Sequence, residues 1–266
     1  MTTLREALED ADARHIVSFS GGKDSTALAI YLLKNYPKLR LEFLFCDTGA
    51  ELDETYRFIE RFETLFGVSI KRLNALELLG VKEKPGRTAF DVYLKEHYNG
   101  FLPSPKSRWC TIDLKIKPFE KEIGADKAYS YIGIRADENR AGYQQKPVVF
   151  SEAPNIIPVY PFKDDGIGLE DVKEILRESG IGMPDYYKWR SRSGCYFCFY
   201  QQIGEWQGLR KYHPILFKQA KKYEKTGPEK RYTWVEGRTL SDIEKIKKQH
   251  KVADGENLDG CALCHL

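Results

Sequence analysis

The sequence predicts an α/β fold with a parallel sheet flanked by helices, and three features point to it. Short apolar segments alternate with helical ones through the first part of the chain, as in parallel strands joined by right-handed crossovers. The chain of 266 residues is 42% hydrophobic, which is ample for a packed core and excludes a disordered protein. The turn Gly21-Gly22 directly follows the first predicted strand, at a position where open α/β sheets bind ligands.

The predicted elements follow in order along the chain. Buried strands are expected at residues 15–20, 41–46, 68–73 and 128–134, where the apolar runs are short. Helices are expected at residues 24–36, 53–66, 88–97 and 110–123, the last with Pro118 as an irregularity. Residues 148–162 contain three prolines and are expected to form an irregular edge strand, and helical patterns dominate after residue 169. We divide the chain into an α/β domain, residues 1–165, and a mostly helical, cysteine-containing region, residues 166–266.

The charges are distributed unevenly along the chain. The whole sequence has 42 Lys and Arg against 39 Asp and Glu, a formal net charge of +3. Residues 203–251 alone hold 13 Lys and Arg against 6 Asp and Glu. This basic C-terminal region suits a polyanionic partner such as nucleic acid, although the solvated faces of surface helices would give the same pattern.

The sequence also predicts the cellular compartment of the protein. No apolar run approaches the roughly 20 residues that span a bilayer, so we expect no membrane partner. The acidic N-terminus lacks the apolar core of a signal peptide. The six cysteines are therefore expected in a reducing cytoplasm, where disulfides are rare.

The turn after the first strand, Ser-Phe-Ser-Gly-Gly-Lys-Asp-Ser, has the composition of an anion-binding loop. A helix N-terminus offers free backbone N–H groups and the positive end of the helix dipole. Gly21 and Gly22 let the backbone approach phosphate oxygens, while Ser20, Ser25 and Lys23 add donors. The spacing fits neither the G-x-x-x-x-G-K-S/T loop nor the dinucleotide G-x-G-x-x-G fingerprint.

This string resembles the PP-loop of the ATP pyrophosphatase superfamily. Residues 45–62, F-C-D-T-G-A-E-L-D-E-T-Y-R-F-I-E-R-F, are similar to the phosphoadenylyl-sulfate reductase branch, as are residues 108–110 and 131–135. Within that branch, the Arg-Trp-Cys-Thr, Gly-Ile-Arg-Ala-Asp-Glu and Gly-Cys-x-x-Cys strings look most like the ATP-pyrophosphatase (sulfurtransferase) subunit of DNA phosphorothioation systems. The resemblance implies a Rossmann-like fold of the adenine nucleotide α-hydrolase type.

The resemblance also implies that the loop holds the β- and γ-phosphates of ATP together with Mg²⁺. The ATP-binding residues that it implies are Ser18, Phe19, Ser20, Gly21, Gly22, Lys23, Asp24, Ser25, Asp47, Thr48, Gly133 and Arg135. Of these, Ser20, Lys23, Asp24 and Arg135 would act in catalysis by stabilising the departing pyrophosphate. Asp24 would either hold Mg²⁺ or cap the helix. Arg135 would either bind a phosphate or pair within its own charged loop.

The clustered cysteines favour metal or sulfur chemistry, and relatives in the reductase branch often carry a [4Fe–4S] cluster. The predicted cluster ligands are Cys110, Cys195, Cys198 and either Cys264 or Cys261. The branch's adjacent cysteine pair is absent because Thr111 follows Cys110, so the fourth ligand is expected from the C-terminal pair. Zinc is the alternative, bound by the two C-x-x-C pairs, although 62 residues separate them and Cys110 would have no role.

The two remaining cysteine roles are simpler. Cys46 ends a predicted strand and is expected to be a small core residue. A C-terminal cysteine outside the cluster would be able to carry a persulfide.

Three functions remain open at this stage. The leading hypothesis is ATP-dependent sulfur insertion, in which ATP adenylates an acceptor oxygen, by the resemblance a DNA backbone phosphate, and sulfur displaces AMP. A cysteine desulfurase would donate the sulfur, other phosphorothioation subunits would be partners, and DNA would bind the basic C-terminal region. The alternative is reduction of adenylyl-sulfate or phosphoadenylyl-sulfate to sulfite, although the C-terminal Gly-Cys-Ala-Leu-Cys-His lacks the order of the reductase string. The third is a non-catalytic adaptor that binds ATP and a cluster.

Overall fold

A five-stranded parallel sheet forms the centre of the structure, a computed structural model that describes residues 2–82, 84, 86–138, 151, 153–228 and 231–253. Its strands are β1 (Arg14–Ser18), β2 (Leu41–Asp47), β3 (Ile70–Asn74), β4 (Ala128–Tyr131) and β5 (Ile156–Val159). The order across the sheet is β3-β2-β1-β4-β5, and every neighbouring pair is parallel. This arrangement confirms the predicted α/β fold class, because parallel neighbours need helical crossovers.

Helices flank the sheet and dominate the C-terminal part of the described chain. The α-helices are α1 (Leu4–Leu8), α2 (Lys23–Asn35), α3 (Asp53–Phe66), α4 (Ala89–Val92), α5 (Trp109–Thr111), α6 (Lys117–Ile123), α7 (Pro161–Asp164), α8 (Leu169–Glu178), α9 (Ile203–Tyr212), α10 (Pro214–Tyr223) and α11 (Leu240–Glu244). Tight helical turns occur at Ala75–Leu79 and Asp185–Lys188, and wider turns extend α4 through Tyr93–His97 and α5 through Ile112–Ile116. The C-terminal part also contains a small antiparallel hairpin, β6 (Lys225–Thr226) with β7 (Arg231–Tyr232), that the sequence patterns did not predict.

Two strands end earlier than their apolar runs predicted. The first was expected at residues 15–20, but β1 ends at Ser18 because the chain leaves the sheet to enter the glycine turn, where Gly21 has a φ of 68°. The fourth was expected to reach residue 134, but β4 ends at Tyr131. Ile132 and Ile134 are buried just beyond it. An apolar run therefore marks burial here, and the strand is shorter than the run.

β5 lies at an edge of the sheet, as the prolines of residues 148–162 predicted. Pro158 is inside this strand, opposite Ser130 of β4. Proline has no N–H to donate, and an edge strand tolerates it because only one of its sides is paired. Residues 148–150 and 152 of the predicted segment lie outside the described residues.

The helix predicted at residues 110–123 is present from Trp109 to Ile123, with an irregularity before Pro118. α5 continues into the wider turn Ile112–Ile116, and α6 begins at Lys117. Pro118 is therefore near the start of α6, where a missing N–H costs little. This position explains why the helix continues past the proline.

One hydrophobic cluster covers the sheet and includes side chains of α2, α3 and α8. Phe19, Leu28 and Phe62 belong to it, and Val172 and Leu176 add the buried face of α8. A helix from the predicted C-terminal region thus packs on the sheet. The division after residue 165 remains a prediction.

A second cluster joins the middle of the chain to the C-terminal helices. Phe90 and Leu114 come from the middle, and Trp206 and Trp234 come from the C-terminal part. The ring centroids of Phe90 and Phe197 are 4.3 Å apart. This cluster holds the segment with Cys195 and Cys198 near the sheet. None of the helices in the described ranges is long and apolar enough to span a membrane.

Replacing Leu28 by alanine should lower the free energy of unfolding by about 2–5 kcal/mol, because it removes buried methyl groups and leaves a cavity. Leu28 is 0% exposed in α2, whereas Leu65 in α3 is 49% exposed. Leu65→Ala is the matched control and should change stability by about 0.5 kcal/mol or less. Urea unfolding followed by circular dichroism measures both variants. Equal losses in the two would contradict this description of the core.

Candidate functional site

Strand ends and one helix start meet at the carboxyl edge of the sheet. β1, β2 and β4 are parallel neighbours, so their C-terminal ends lie at the same edge. The chain proceeds from β1 to β2 on one side, and β4 lies on the other side of β1. Open α/β sheets bind ligands at such a switch point. α2 begins here at Lys23, within the predicted phosphate loop, residues 18–25.

The phosphate loop gathers hydroxyl and amide groups around Gly22. Ser20 Oγ lies 3.0 Å from Ser25 Oγ and accepts from the Gly22 N–H at 3.4 Å. The Ser20 N–H donates to Ser25 Oγ at 3.1 Å, and Ser25 Oγ donates to the Gly22 carbonyl at 3.2 Å. Gly22 is the N-cap of α2 and has no side chain to cap the helix. The first turn therefore presents the dipole and amide groups that favour an anion.

At three predicted glycines, a side chain would meet neighbouring atoms at close range. A Cβ on Gly21 would lie 2.9 Å from a methyl group of α3, and Gly21 has a positive φ. A Cβ on Gly22 would lie 2.6 Å from Ser193 Oγ. A Cβ on Gly133 would lie 2.9 Å from the Asp24 carbonyl oxygen, so a side chain there would push α2 away from the end of β4. The structure thus brings these glycines together at one edge.

A buried charge network adjoins the loop. Lys23 Nζ donates to Asp24 Oδ2 at 2.7 Å, and Asp24 Oδ1 accepts from Arg135 at 2.9 Å. Arg135, 3% exposed, also pairs with Asp137 at 2.9 Å and Glu138 at 2.7 Å. Of the two predicted roles of Arg135, the geometry is that of pairing within its own loop and with Asp24. Asp24 lies in the first turn of α2, where it binds two cations, while the cap position is Gly22.

The charge state of Lys23 follows from this network. Burial by itself would lower the pKa of Lys23, but the attraction to Asp24 and Tyr187 and the hydrogen bond to Asp24 outweigh burial and raise that pKa. Lys23 is therefore a cation at neutral pH. Its orientation is set by Asp24, which Arg135 holds in turn.

Two predicted ATP-binding residues have side chains that pack into the fold. Ser18 is fully buried, and its Oγ lies 2.9 Å from Ser130 Oγ of β4. The Phe19 ring packs on Phe62 with centroids 4.8 Å apart, and the Phe19 N–H donates to the Leu44 carbonyl. These side chains position the loop at the end of β1.

The end of β2 connects the loop region with a cysteine. Asp47 Oδ1 accepts from the N–H two residues later at 2.8 Å and from Tyr56 at 2.7 Å, so this side chain shapes the turn. Thr48 is buried; its Oγ1 donates to Glu51 at 2.9 Å and lies 3.2 Å from Cys195 Sγ. Thr48, one of the predicted ATP-binding residues, thus contacts one of the predicted cluster cysteines.

Glu51 is a further candidate functional residue. It lies within the string of residues 45–62, but the sequence analysis did not single it out. It is 8% exposed, and its Oε1 lies 3.7 Å from Cys195 Sγ. Burial raises the pKa of Glu51, against the opposing attraction of Lys115. Lys115 is also buried and lines the cavity beside the cysteines. A lone acidic residue between an apolar strand and a helix was the only available signal, and that signal is weak.

A segment from the C-terminal region covers the phosphate loop. The Tyr186 hydroxyl donates to the Gly21 carbonyl at 2.8 Å, and the Tyr187 hydroxyl accepts from the Lys23 N–H at 3.1 Å. Ser193 Oγ lies 3.2 Å from Ser20 Oγ. No motif pointed to these contacts, because their partners are more than 160 residues apart in the sequence.

Three of the predicted cluster cysteines line one cavity. The residues around it are Thr48, Phe90, Pro103, Cys110, Thr111, Lys115, Cys195, Phe197, Cys198, Phe199, Tyr200 and Trp234. Burial, with the nearby Glu51 carboxylate, raises the pKa of Cys195 well above its usual value, so a metal bound there must displace a proton. Cys261 and Cys264 lie outside the described residues.

Buried charged side chains hold the chain on the N-terminal side of the cysteine loop. Arg190 donates to the Gly194 carbonyl at 2.8 Å and to the Cys195 carbonyl at 2.7 Å. Glu205, which is fully buried in α9, accepts from the Ser191 N–H at 2.7 Å and from Ser191 Oγ at 2.8 Å. Together they fix the backbone from Ser191 to Cys195, the first cysteine of the pair.

Three thiols around one cavity are a donor set that suits a thiolate-bound metal group, either an iron–sulfur cluster or zinc. Within the described ranges, no three His, Cys, Asp or Glu side chains converge closely enough to hold one metal ion. Cys46, by contrast, is buried in the core as predicted; it donates to the Lys115 carbonyl, and burial raises its pKa to about 12.

Several curated proteins are similar to this chain. Two uncharacterized proteins of Methanocaldococcus jannaschii are 29% and 27% identical over 209 and 205 residues, which is 76% and 75% of this chain. The matches cover 39% and 45% of those proteins, so the chain spans less than half the length of these relatives. An uncharacterized protein of Escherichia phage 186 is 26% identical over 233 residues, 72% of this chain and 68% of that protein.

Solved structures of low identity were also found. The phosphoadenylyl-sulfate reductase of Candida auris, in a phosphate complex, is 15% identical with a TM-score of 0.47, over 69% of this chain and 81% of that one. The U34-tRNA thiolase NcsA of Methanococcus maripaludis, with its [4Fe–4S] cluster, is 16% identical with a TM-score of 0.47, over 96% of this chain and 81% of that one.

A family model identifies the chain more directly. The model of the phosphoadenosine phosphosulfate reductase domain matches residues 14–211, a range that includes both the phosphate loop and the cysteine loop. The chain therefore belongs to the phosphoadenosine phosphosulfate reductase domain family, within the PP-loop ATP pyrophosphatase superfamily.

Proposed function

We propose that the protein is an ATP pyrophosphatase that adenylates an acceptor oxygen, a DNA backbone phosphate, so that sulfur can replace that oxygen. One observation carries the proposal: an anion-binding loop and a cavity lined by three cysteines adjoin each other. Thr48, at the end of β2, lies 3.2 Å from Cys195 Sγ. Ser193, two residues before Cys195, lies 3.2 Å from Ser20 Oγ.

The proposed reaction has two displacements. The acceptor oxygen attacks the α-phosphorus of ATP, and the bond to the bridging oxygen breaks, so that pyrophosphate leaves with the electron pair. A sulfur nucleophile then bonds to the activated acceptor, and AMP leaves with the oxygen. Charge grows on pyrophosphate in the first step, and the loop donors, with the Lys23 ammonium, would stabilise it. Arg135 would act through Asp24, by keeping Lys23 oriented.

Mg²⁺ is proposed as the counter-ion of ATP, because phosphate oxygens are the ligands it prefers. Asp24 is the carboxylate of the loop, but its oxygens already bind Lys23 and Arg135. Phosphate oxygens and water would therefore supply most of the ligands of the ion. Its chemistry would be to neutralise charge on the phosphates.

A [4Fe–4S] cluster is proposed for the cysteine cavity, held by Cys110, Cys195, Cys198 and one C-terminal cysteine. Zinc is the alternative, with the two C-x-x-C pairs as ligands. The cavity supports the cluster, because Cys110 lines it together with the other pair. When bound, the cluster would supply iron for holding sulfur beside the activated acceptor. A cysteine desulfurase would supply the sulfur, and the other phosphorothioation subunits would assist.

A basic groove supports DNA as the acceptor. It is lined by lysines and aromatic residues of the C-terminal half, including Lys188, Lys211, Lys251, Trp189 and Tyr212. Tyr187 belongs to both this groove and the cover of the phosphate loop. Exposed lysines suit a phosphate backbone, and the half-exposed Tyr212 offers a ring to a base.

The second candidate function is reduction of adenylyl-sulfate or phosphoadenylyl-sulfate to sulfite. The description of the matching family favours it. This reaction needs a nucleophilic cysteine on the C-terminal segment, which lies outside the described residues. Sulfite release with a thioredoxin reductant would identify this activity.

Anaerobically purified protein should release pyrophosphate from ATP, and Ser20→Ala should lower the rate about 100-fold, because it removes the hydroxyl that bonds to Ser25 and to the Gly22 N–H and so holds the loop donors in place. A coupled pyrophosphate assay with and without duplex DNA measures this rate. Ser179→Ala, a hydroxyl at the end of α8 that donates to the Leu176 carbonyl, is the control and should match wild type. Sulfite release without any ATP turnover would refute the proposal in favour of the reductase.

Cys110→Ser separates the cluster from zinc. Under the cluster assignment this variant should lose most of its iron and acid-labile sulfide, whereas a zinc site made of the two C-x-x-C pairs would keep its metal. Cys46→Ala is the control and should keep wild-type iron, because Cys46 lies in the core. Iron, sulfide and zinc analysis of anaerobic preparations gives the readout. Undiminished metal in Cys110→Ser would exclude the cluster.

The groove predicts salt-dependent DNA binding. Replacing Lys211 and Lys251 by alanine should weaken DNA binding and reduce the slope of log affinity against log salt by about 2, since about one counterion is released per phosphate contact. Lys34→Ala with Lys38→Ala is the control, because these exposed lysines lie near the end of α2, at the opposite edge of the sheet. Fluorescence anisotropy at several salt concentrations measures the slope. Equal slopes in both double variants would place DNA elsewhere.

A further inference from the structure

The segment that carries Cys195 also reaches the phosphate loop, through Ser193. Ser193 is 3% exposed, and its Oγ lies 3.2 Å from Ser20 Oγ, 173 residues earlier in the chain. The same oxygen would lie 2.6 Å from a Cβ on Gly22. Ser193 therefore lies directly against the N-cap of α2, within the group of atoms proposed to bind phosphate.

The hydrogen bonds of this group form a chain that begins at Ser193. A serine hydroxyl has one hydrogen to donate. Ser25 donates to the Gly22 carbonyl, which leaves Ser20 to donate to Ser25 and Ser193 to donate to Ser20. The Ser193 hydrogen can therefore turn towards an anion without breaking the bonds inside the loop. Ser20 and Ser25, in contrast, use their hydrogens to maintain the loop.

The local charges make neutral donors important. Among the described residues, the two cations beside the loop, Lys23 and Arg135, pair with the buried Asp24 and Glu138 and the exposed Asp137. Since both cations are already paired with carboxylates, attraction of phosphate depends strongly on hydroxyl groups, amide groups and the dipole of α2. An additional hydroxyl is therefore expected to contribute measurably.

Ser193 is also preorganised. Arg190 binds the carbonyls of Gly194 and Cys195, and Glu205 binds the backbone and side chain of Ser191. Both flanking stretches of backbone are thus fixed before any ligand enters. A donor held in this way loses little entropy when it binds.

We propose that Ser193 is a ligand of the β- or γ-phosphate of ATP, delivered to the phosphate loop by the cysteine-bearing segment. The assignment rests on the proposed function, because it requires ATP in this loop. Under this assignment, the phosphate site is complete only when the cysteine loop lies against the phosphate loop. Nucleotide binding and the placement of Cys195 are then linked, and the linkage is reciprocal.

Calorimetric titration of the full chain with ATP, pyrophosphate and AMP tests this assignment. Ser193→Ala should weaken binding of ATP and pyrophosphate about tenfold, the effect of losing one hydrogen bond to a charged group. AMP affinity should change by about twofold or less, because AMP lacks the phosphates that Ser193 contacts. Ser179→Ala is the matched control and should leave all three affinities unchanged.

The outcomes distinguish this assignment from the function on which it rests. ATP affinity that is unchanged in Ser193→Ala overturns the assignment alone. Equal weakening for ATP and AMP also overturns it, because that result indicates a distorted loop. If wild-type protein binds neither ATP nor pyrophosphate, the proposed function fails and the assignment fails with it. The thermal unfolding temperature of Ser193→Ala, compared with wild type, shows that the variant is folded.

Discussion

The docking of one C-terminal segment onto the first turn of α2 is the contact on which the rest of the site depends. The turn follows β1 and packs against the end of β4, so it lies at the switch point of the sheet. Covering such a turn would normally leave backbone groups without partners. Here Tyr186 binds the Gly21 carbonyl and Tyr187 binds the Lys23 N–H, so the covered backbone retains hydrogen bonds. The same segment then continues to Cys195.

The electrostatics of the loop follow from the charges that surround it. Arg135 is held by carboxylates on several sides, and one of these, Asp24, orients Lys23. The arrangement fixes the position of a cation and pairs both cations with carboxylates. Under the proposed function, the site would therefore recognise phosphate largely through hydroxyl and amide groups. The Arg135 pairing also explains why its loop motif contains so many charged residues.

The sequence predicted the strands and helices of the sheet-forming part of the chain well, because their patterns are local. A buried strand, two glycines and an amphipathic helix are adjacent in the chain, so the loop from Ser20 to Ser25 was predicted with its surroundings. Strand ends were less well predicted, since Ile132 and Ile134 are buried without extending β4. The direction of the Arg135 side chain was left open between two alternatives, because a sequence shows charge but not pairing. No local sequence pattern pointed to Ser193, and the pattern around Glu51 was too weak to single that residue out.

The sequence by itself determined the α/β class and the glycine turn between β1 and α2, because these depend on periodicity and on local motifs. Only the tertiary structure decided which distant side chains contact the phosphate loop. Ser193 and Tyr187 contact it from the C-terminal half of the chain, and Thr48, after β2, contacts Cys195. The physical reason is that packing of the Trp206 and Trp234 cluster folds the C-terminal part back onto the sheet edge. Contacts made by such long-range packing leave no local pattern in the sequence.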